Sequence, residues 1–155
     1  MFESLKQMAM QQLMSKMAGN SLGANETQEA ATEGANGIMD ILKAKVAGGN
    51  LEEVKALFSG GNLENNGAFA EAKAKMAETL QAKGMSAEEA QAEAANTTPD
   101  LINSLKGKFE STDEADSAFN LDALTDLIPG GAADLLNKAG GVGNILNQAK
   151  NIFGK

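Results

Sequence analysis

The residues best placed to do chemistry are carboxylates. Asp113, Glu114, Asp116, Asp122 and Asp126 crowd one stretch of the chain, and hard cations such as calcium are held by carboxylate oxygens. A calcium loop of the EF-hand type needs oxygen ligands at its first, third and fifth positions and glycine at its sixth. Counted from Asp113, those positions hold Asp113, Ala115, Ser117 and Ala118, so the pattern fails. The stretch reads as a solvated acidic loop, with Asp122 and Asp126 on the polar face of an amphipathic helix. Paired carboxylates can also hydrolyse glycosides, and 21 Asp and Glu residues supply pairs in abundance. No pair is flanked by a sugar-stacking platform, because every aromatic residue is phenylalanine. Ser-Lys catalysis needs a buried lysine beside its serine, whereas Ser15-Lys16 and Ser104-Leu105-Lys106 read as helix surface. Gly130-Gly131 and Gly140-Gly141-Val142-Gly143 lack both a preceding strand and the Gly-Lys-Ser/Thr ending of a phosphate loop.

Absences narrow the chemistry further. The chain has no arginine, histidine, cysteine, tryptophan or tyrosine, and all 13 of its basic residues are lysines. It therefore lacks an imidazole titrating near neutrality, a thiolate and a guanidinium fork. The expectation is that it is not an enzyme, with no catalytic residue, no cofactor and no metal site assigned. A net charge of −8 argues against nucleic acid, whose phosphates need clustered cations. That charge is uneven: residues 111–140 carry −5, while 1–24 carry +1 and 141–155 carry +2.

These side chains must be positioned by helices. β-branched and aromatic residues are too sparse to cover a sheet face, and apolar residues recur at helical spacing. Helices are expected over 2–18, from about residue 25 to 46, and after an Asn50 N-cap. Others are expected over 68–83, over 87–95 behind a Ser86/Glu89 capping box, and again from a Thr98-Pro99 restart. Gly34 and Gly37 weaken the second helix, so either a neighbouring backbone packs closely there or the helix breaks. Further short helices are expected over 121–128, 132–138 and 142–153. The core is expected to contain Leu42, Val54, Leu57, Phe69, Met76, Leu80, Leu101, Ile102 and Leu105. It should be thin, since 27 alanines and 8 methionines outnumber the 31 Leu, Ile, Val and Phe residues.

The helix, Gly84 turn and second helix between Leu80 and Ile102 have the outline of a helix-turn-helix. The would-be recognition helix carries Glu88, Glu89 and Glu93 and no lysine, so it would repel a duplex. An αα-hairpin within a bundle is the reading kept. The two ends offer apolar surface for a partner: Phe2, Leu5, Met8, Leu13 and Met17 at one end, Ile145, Leu146, Ile152 and Phe153 at the other. Methionine adapts to imprecise surfaces, and such segments can dock on a protein or lie in a membrane interface; packing within the bundle is the use favoured over both, since the thin core needs this apolar surface. Gln7, Gln11, Gln12 and Lys16 interrupt any secretory signal, and no apolar run approaches the length of a membrane span.

Residues 76–108, reading LQAKGMSAEEAQAEAANTTPDLINSLKGK from Leu80, combine a leucine, a glycine turn, a capped Ala-rich helix and a proline-led apolar helix ending in Leu and Lys. This run resembles the helical core of the YidB-like family of small bacterial proteins. The apolar N-terminal helix and Gly-rich C-terminus are similar in style, while the acidic connector and the length of the terminal third depart from that family. The resemblance implies an all-helical bacterial domain of uncharacterised function and assigns no functional residue.

The sequence thus predicts an all-α bundle of short helices joined by glycine-rich turns. A main domain is expected over 1–109, an acidic connector over 110–119 and a C-terminal helical segment over 120–155, packed on the domain or hinged. The function expected is that of a cytoplasmic, non-catalytic interaction or structural protein, binding an unidentified protein or itself. The alternatives are a peripheral membrane-associating protein using its terminal helices, and a carboxylate-based ion-binding module or enzyme.

Overall fold

An alanine-rich chain punctuated by glycine turns can hide its apolar surface only by laying helices side by side. The computed structural model, which describes residues 2–111, has that arrangement. Its α-helices are α1 (Phe2–Lys16), α2 (Ala24–Ala47), α3 (Leu51–Phe58), α4 (Gly67–Ala82) and α5 (Ala87–Phe109), with one 3-10 turn at Leu63–Asn65. No strand occurs among the described residues. The protein is an all-α, multi-helix bundle. Of the acidic connector only residues 110 and 111 are described. The helices expected over 121–153, and the carboxylates Asp113, Glu114, Asp116, Asp122 and Asp126, lie outside the described residues.

Four helices form the sides of the bundle. α1 packs on α2, α2 on α4, α4 on α5, and α5 back on α1, while α3 lies against α2, α4 and α5. Two ion-pair clusters show the relative direction of α2 and α4. Lys83, just beyond α4, reaches Glu29 at 3.0 Å and Glu33 at 2.7 Å in the first half of α2. Lys45, near the end of α2, reaches Glu71 at 2.7 Å in the first half of α4. Opposite ends meet, so the two helices are antiparallel. Gly84 closes the α4–α5 hairpin with a φ of 107°, a conformation that a side chain would oppose.

All nine residues assigned to the core from helical spacing are buried. They are joined by Phe58 and by a series of alanines, among them Ala9, Ala31, Ala35, Ala72 and Ala94. Phe58 meets Phe109 with ring centroids 4.7 Å apart, which pins α3 to the last turn of α5.

Three local expectations are corrected. The chain does not restart at Thr98-Pro99, because α5 runs unbroken from Ala87 to Phe109 with Pro99 inside it. Proline removes the bond that its N–H would give to the carbonyl four residues back, here that of the exposed Ala95. Packing outweighs that loss: Ala90, Ala94, Thr97, Thr98, Leu101, Ile102 and Leu105 form one buried face across the proline. Asn50 stands at the N-cap of α3, but its side chain makes no capping bond, with ψ at 37° instead of extended. Helix α2 neither breaks at Gly34 and Gly37 nor meets a backbone there. What fills the space is side chain, Met76 over Gly34 and Lys75 over Gly37.

Candidate functional site

Helix α4 carries alanine on two faces. Ala68, Ala72 and Ala77 are buried beside Phe69, Met76 and Leu80. Ala70, Ala74, Ala77 and Gln81, at spacings of four, three and four, form a second stripe that neighbours Gln91, Ala94 and Ala95 of α5. Between that second stripe and α5 lies an open groove of about 560 Å³ with Lys73 and Glu78 on its rim.

The hairpin that makes this groove is well fixed. Asn66 caps α4, its Oδ1 accepting from Phe69 N at 3.1 Å, while its Nδ2 donates to the Glu53 carbonyl at 2.8 Å. At the other end, Ser86 and Glu89 form the capping box that the sequence predicts for α5. The rim charges are engaged elsewhere. Lys73 pairs with Glu64 at 3.3 Å and sits 5.4 Å from the Phe69 ring centroid, and Glu78 pairs with Lys75 at 2.9 Å. The exposed side-chain amides of Gln81 and Gln91 make no hydrogen bond to the described residues, which leaves donors and acceptors free at the groove edge. Small residues on the floor and free amides at the edge can receive a helix or peptide. The lining holds no nucleophile beside a base.

Two further openings are lined by polar residues. Asn25, Gln28, Glu29, Thr32 and Glu33 line one on α2, and there Lys83 is bound to Glu29 and Glu33. Those carboxylates, Glu33 before Glu29, accept hydrogen bonds from the Lys83 ammonium and raise its pKa above 10.5, against the opposing effect of desolvation. Gln12, Lys16, Asp100, Asn103 and Ser104 line another, where Lys16 pairs with Asp100 at 2.7 Å. Neither Ser-Lys candidate is a dyad: Lys16 is drawn to Asp100, and Lys106 to Glu110 at 3.6 Å. Among the described residues no three carboxylates gather as a metal would require, and no helix is long and apolar enough to cross a membrane.

Of the N-terminal residues offered as a partner surface, those described pack into the bundle, the use favoured for them on the sequence. Leu5, Leu13 and Met17 are buried in the chain's own core, and Met8 is half-buried against it. Their apolar surface is consumed by the packing of α1 on α2 and α5, which leaves those three nothing to present to a protein or a membrane. The side chain of Phe2 lies outside what is described, as do Ile145, Leu146, Ile152 and Phe153. The sequence does not disclose the α4–α5 groove, because alanine serves the core and the surface alike. The one available signal was the Ala70, Ala74, Ala77 stripe, offset from Phe69, Met76 and Leu80.

Comparison of the chain with protein-family models, curated proteins and solved structures finds no match in any of the three.

Proposed function

We propose that this chain is a non-catalytic interaction module of the bacterial cytoplasm, in which the groove between α4 and α5 receives an amphipathic helix of a protein partner. The make-up of that groove carries the reading. The exposed Ala70, Ala74 and Ala95 allow a partner backbone to approach closely, and the free amides of Gln81 and Gln91 stand ready for its polar groups. The full sequence supports a non-catalytic role, since it contains no histidine, cysteine, arginine or tyrosine with which most acid-base and nucleophilic catalysis is done. The bacterial setting rests on the resemblance of residues 76–108.

Ala74→Glu tests the proposal, because Ala74 is exposed and a glutamate there fills the groove without touching the core. Ala44→Glu, on the exposed face of α2, is the control. Proteins that co-purify with the wild-type chain from its native host should persist with Ala44→Glu and disappear with Ala74→Glu. The same proteins retained by all three chains would refute the groove's role. A second copy of the chain appearing as the occupant would support it as a self-association site.

A further inference from the structure

Methionine is the principal oxidisable side chain in this protein, which has no cysteine, tryptophan, tyrosine or histidine. Met10 and Met14 of α1, and Met17 one residue beyond its end with its N–H still bonded to the Leu13 carbonyl at 2.8 Å, are spaced by four and then three, so they share one flank. Their exposure is graded. Met14 is 37% exposed, Met10 is half-buried against the core, and Met17 is fully buried.

Met10 also sits on a seam. Its sulfur lies 3.3 Å from the Thr32 hydroxyl of α2, and that same hydroxyl lies 2.8 Å from the Gln28 carbonyl. One hydroxyl carries one proton. The shorter contact to the stronger acceptor takes it, so the thioether packs against the Thr32 oxygen with no room between them.

We propose that this flank of α1 is an oxidation site for peroxides with a built-in order, in which Met14 takes the first oxygen and Met10 the next, loosening α1 from α2. In each step a sulfur lone pair attacks one peroxide oxygen and the O–O bond breaks. An S–O bond forms, and the departing hydroxide takes up the remaining proton and leaves as water. The sulfur is oxidised by two electrons and the peroxide is reduced by two. At Met14 the new oxygen enters solvent and the fold is indifferent to it. At Met10 a polar oxygen enters a space set by a 3.3 Å contact and competes with Gln28 for the Thr32 proton. Sulfoxide reduction reverses both steps.

The experiment treats the full chain with hydrogen peroxide, locates each sulfoxide by peptide mapping and follows thermal melting, in wild type, Met14→Leu and Met10→Leu. Met14 should oxidise roughly tenfold or more faster than Met17, because susceptibility follows exposure and a buried sulfur must await local opening. The melting midpoint should track sulfoxide at Met10 and ignore sulfoxide at Met14. Met10→Leu should therefore hold its midpoint through a treatment that lowers both other chains. Oxidation of Met17 or Met76 as fast as Met14 would overturn the proposal. An equal fall of the midpoint in Met10→Leu would do the same.

Discussion

Met76 of α4 occupies the space where Gly34 of α2 has no side chain: a Cβ at Gly34 would come within 2.6 Å of the Met76 methyl and 3.0 Å of its sulfur. The absent side chain lets the antiparallel pair close, and Leu13 of α1 borders the same point at 3.6 Å. Gly34→Ala gains about 1 kcal/mol in helix propensity, but forcing a methyl into a packed core costs about 1–3 kcal/mol. Met76 is fully buried and has nowhere to retreat. Gly34→Ala should therefore destabilise the fold by about 1 kcal/mol, and Gly34→Ala/Met76→Ala should cost less than the sum of its parts in urea unfolding. Gly37→Ala should cost less than Gly34→Ala, because the neighbour it meets is Lys75, whose Cγ would lie 2.9 Å from the new Cβ but whose side chain is 43% exposed and can turn outward at the expense of its pair with Glu78.

Pro99 sits inside α5 at the expense of one backbone bond, with the buried face of the helix continuing on both sides. Pro99→Ala restores the donor toward the Ala95 carbonyl and should raise unfolding stability by about 2 kcal/mol, the interior-proline cost less the unfolded-chain restriction that proline provides. A loss of stability would mean that α5 uses the proline, contrary to the packing described.

Asn50 and Ser86 carry similar sequence signals, each followed three residues later by glutamate, yet only Ser86 caps its helix. Ser86→Ala should cost about 1 kcal/mol, and Asn50→Ala should leave chemical denaturation nearly unchanged. Equal effects would show that the two caps are alike in solution.

Lys83 donates to Glu33 and Glu29, and Lys45 donates to Glu71, so both ammonium groups have pKa values raised above the ordinary 10.5. A group raised on folding contributes stability that is fully present below its unfolded pKa and is lost as pH rises through the folded value. Melting should accordingly be insensitive to these groups below about pH 10 and should weaken above it. Lys83→Met should show a smaller alkaline loss than wild type when midpoints are compared across that range. An equal loss would remove Lys83 as its source.

Helical spacing made most of the core legible, because leucine, isoleucine, valine and phenylalanine have one good place to go. Leu42, Phe69 and Ile102 are buried where that spacing puts them. It did not reveal which apolar flank of α1 would be covered, since Leu5 and Met17 have the same pattern whether a partner or α2 lies opposite. Nor did it reveal continuity through Pro99, which is decided by contacts with α1 and α4 and by no local preference. The groove is hidden in the sequence for a third reason. Ala70 and Ala74 are exposed while Ala72 is buried, and alanine gives no sign of the difference.

The claim that α4 and α5 form a receiving surface is tested most directly by placing a photo-activated crosslinker at Gln91, on the groove edge, and separately at Gln28, on α2. In the native host the Gln91 chain should form a discrete crosslinked species that Ala74→Glu abolishes, and the Gln28 chain should not form it. Crosslinks of equal yield and identity from both positions, unaffected by Ala74→Glu, would contradict the account.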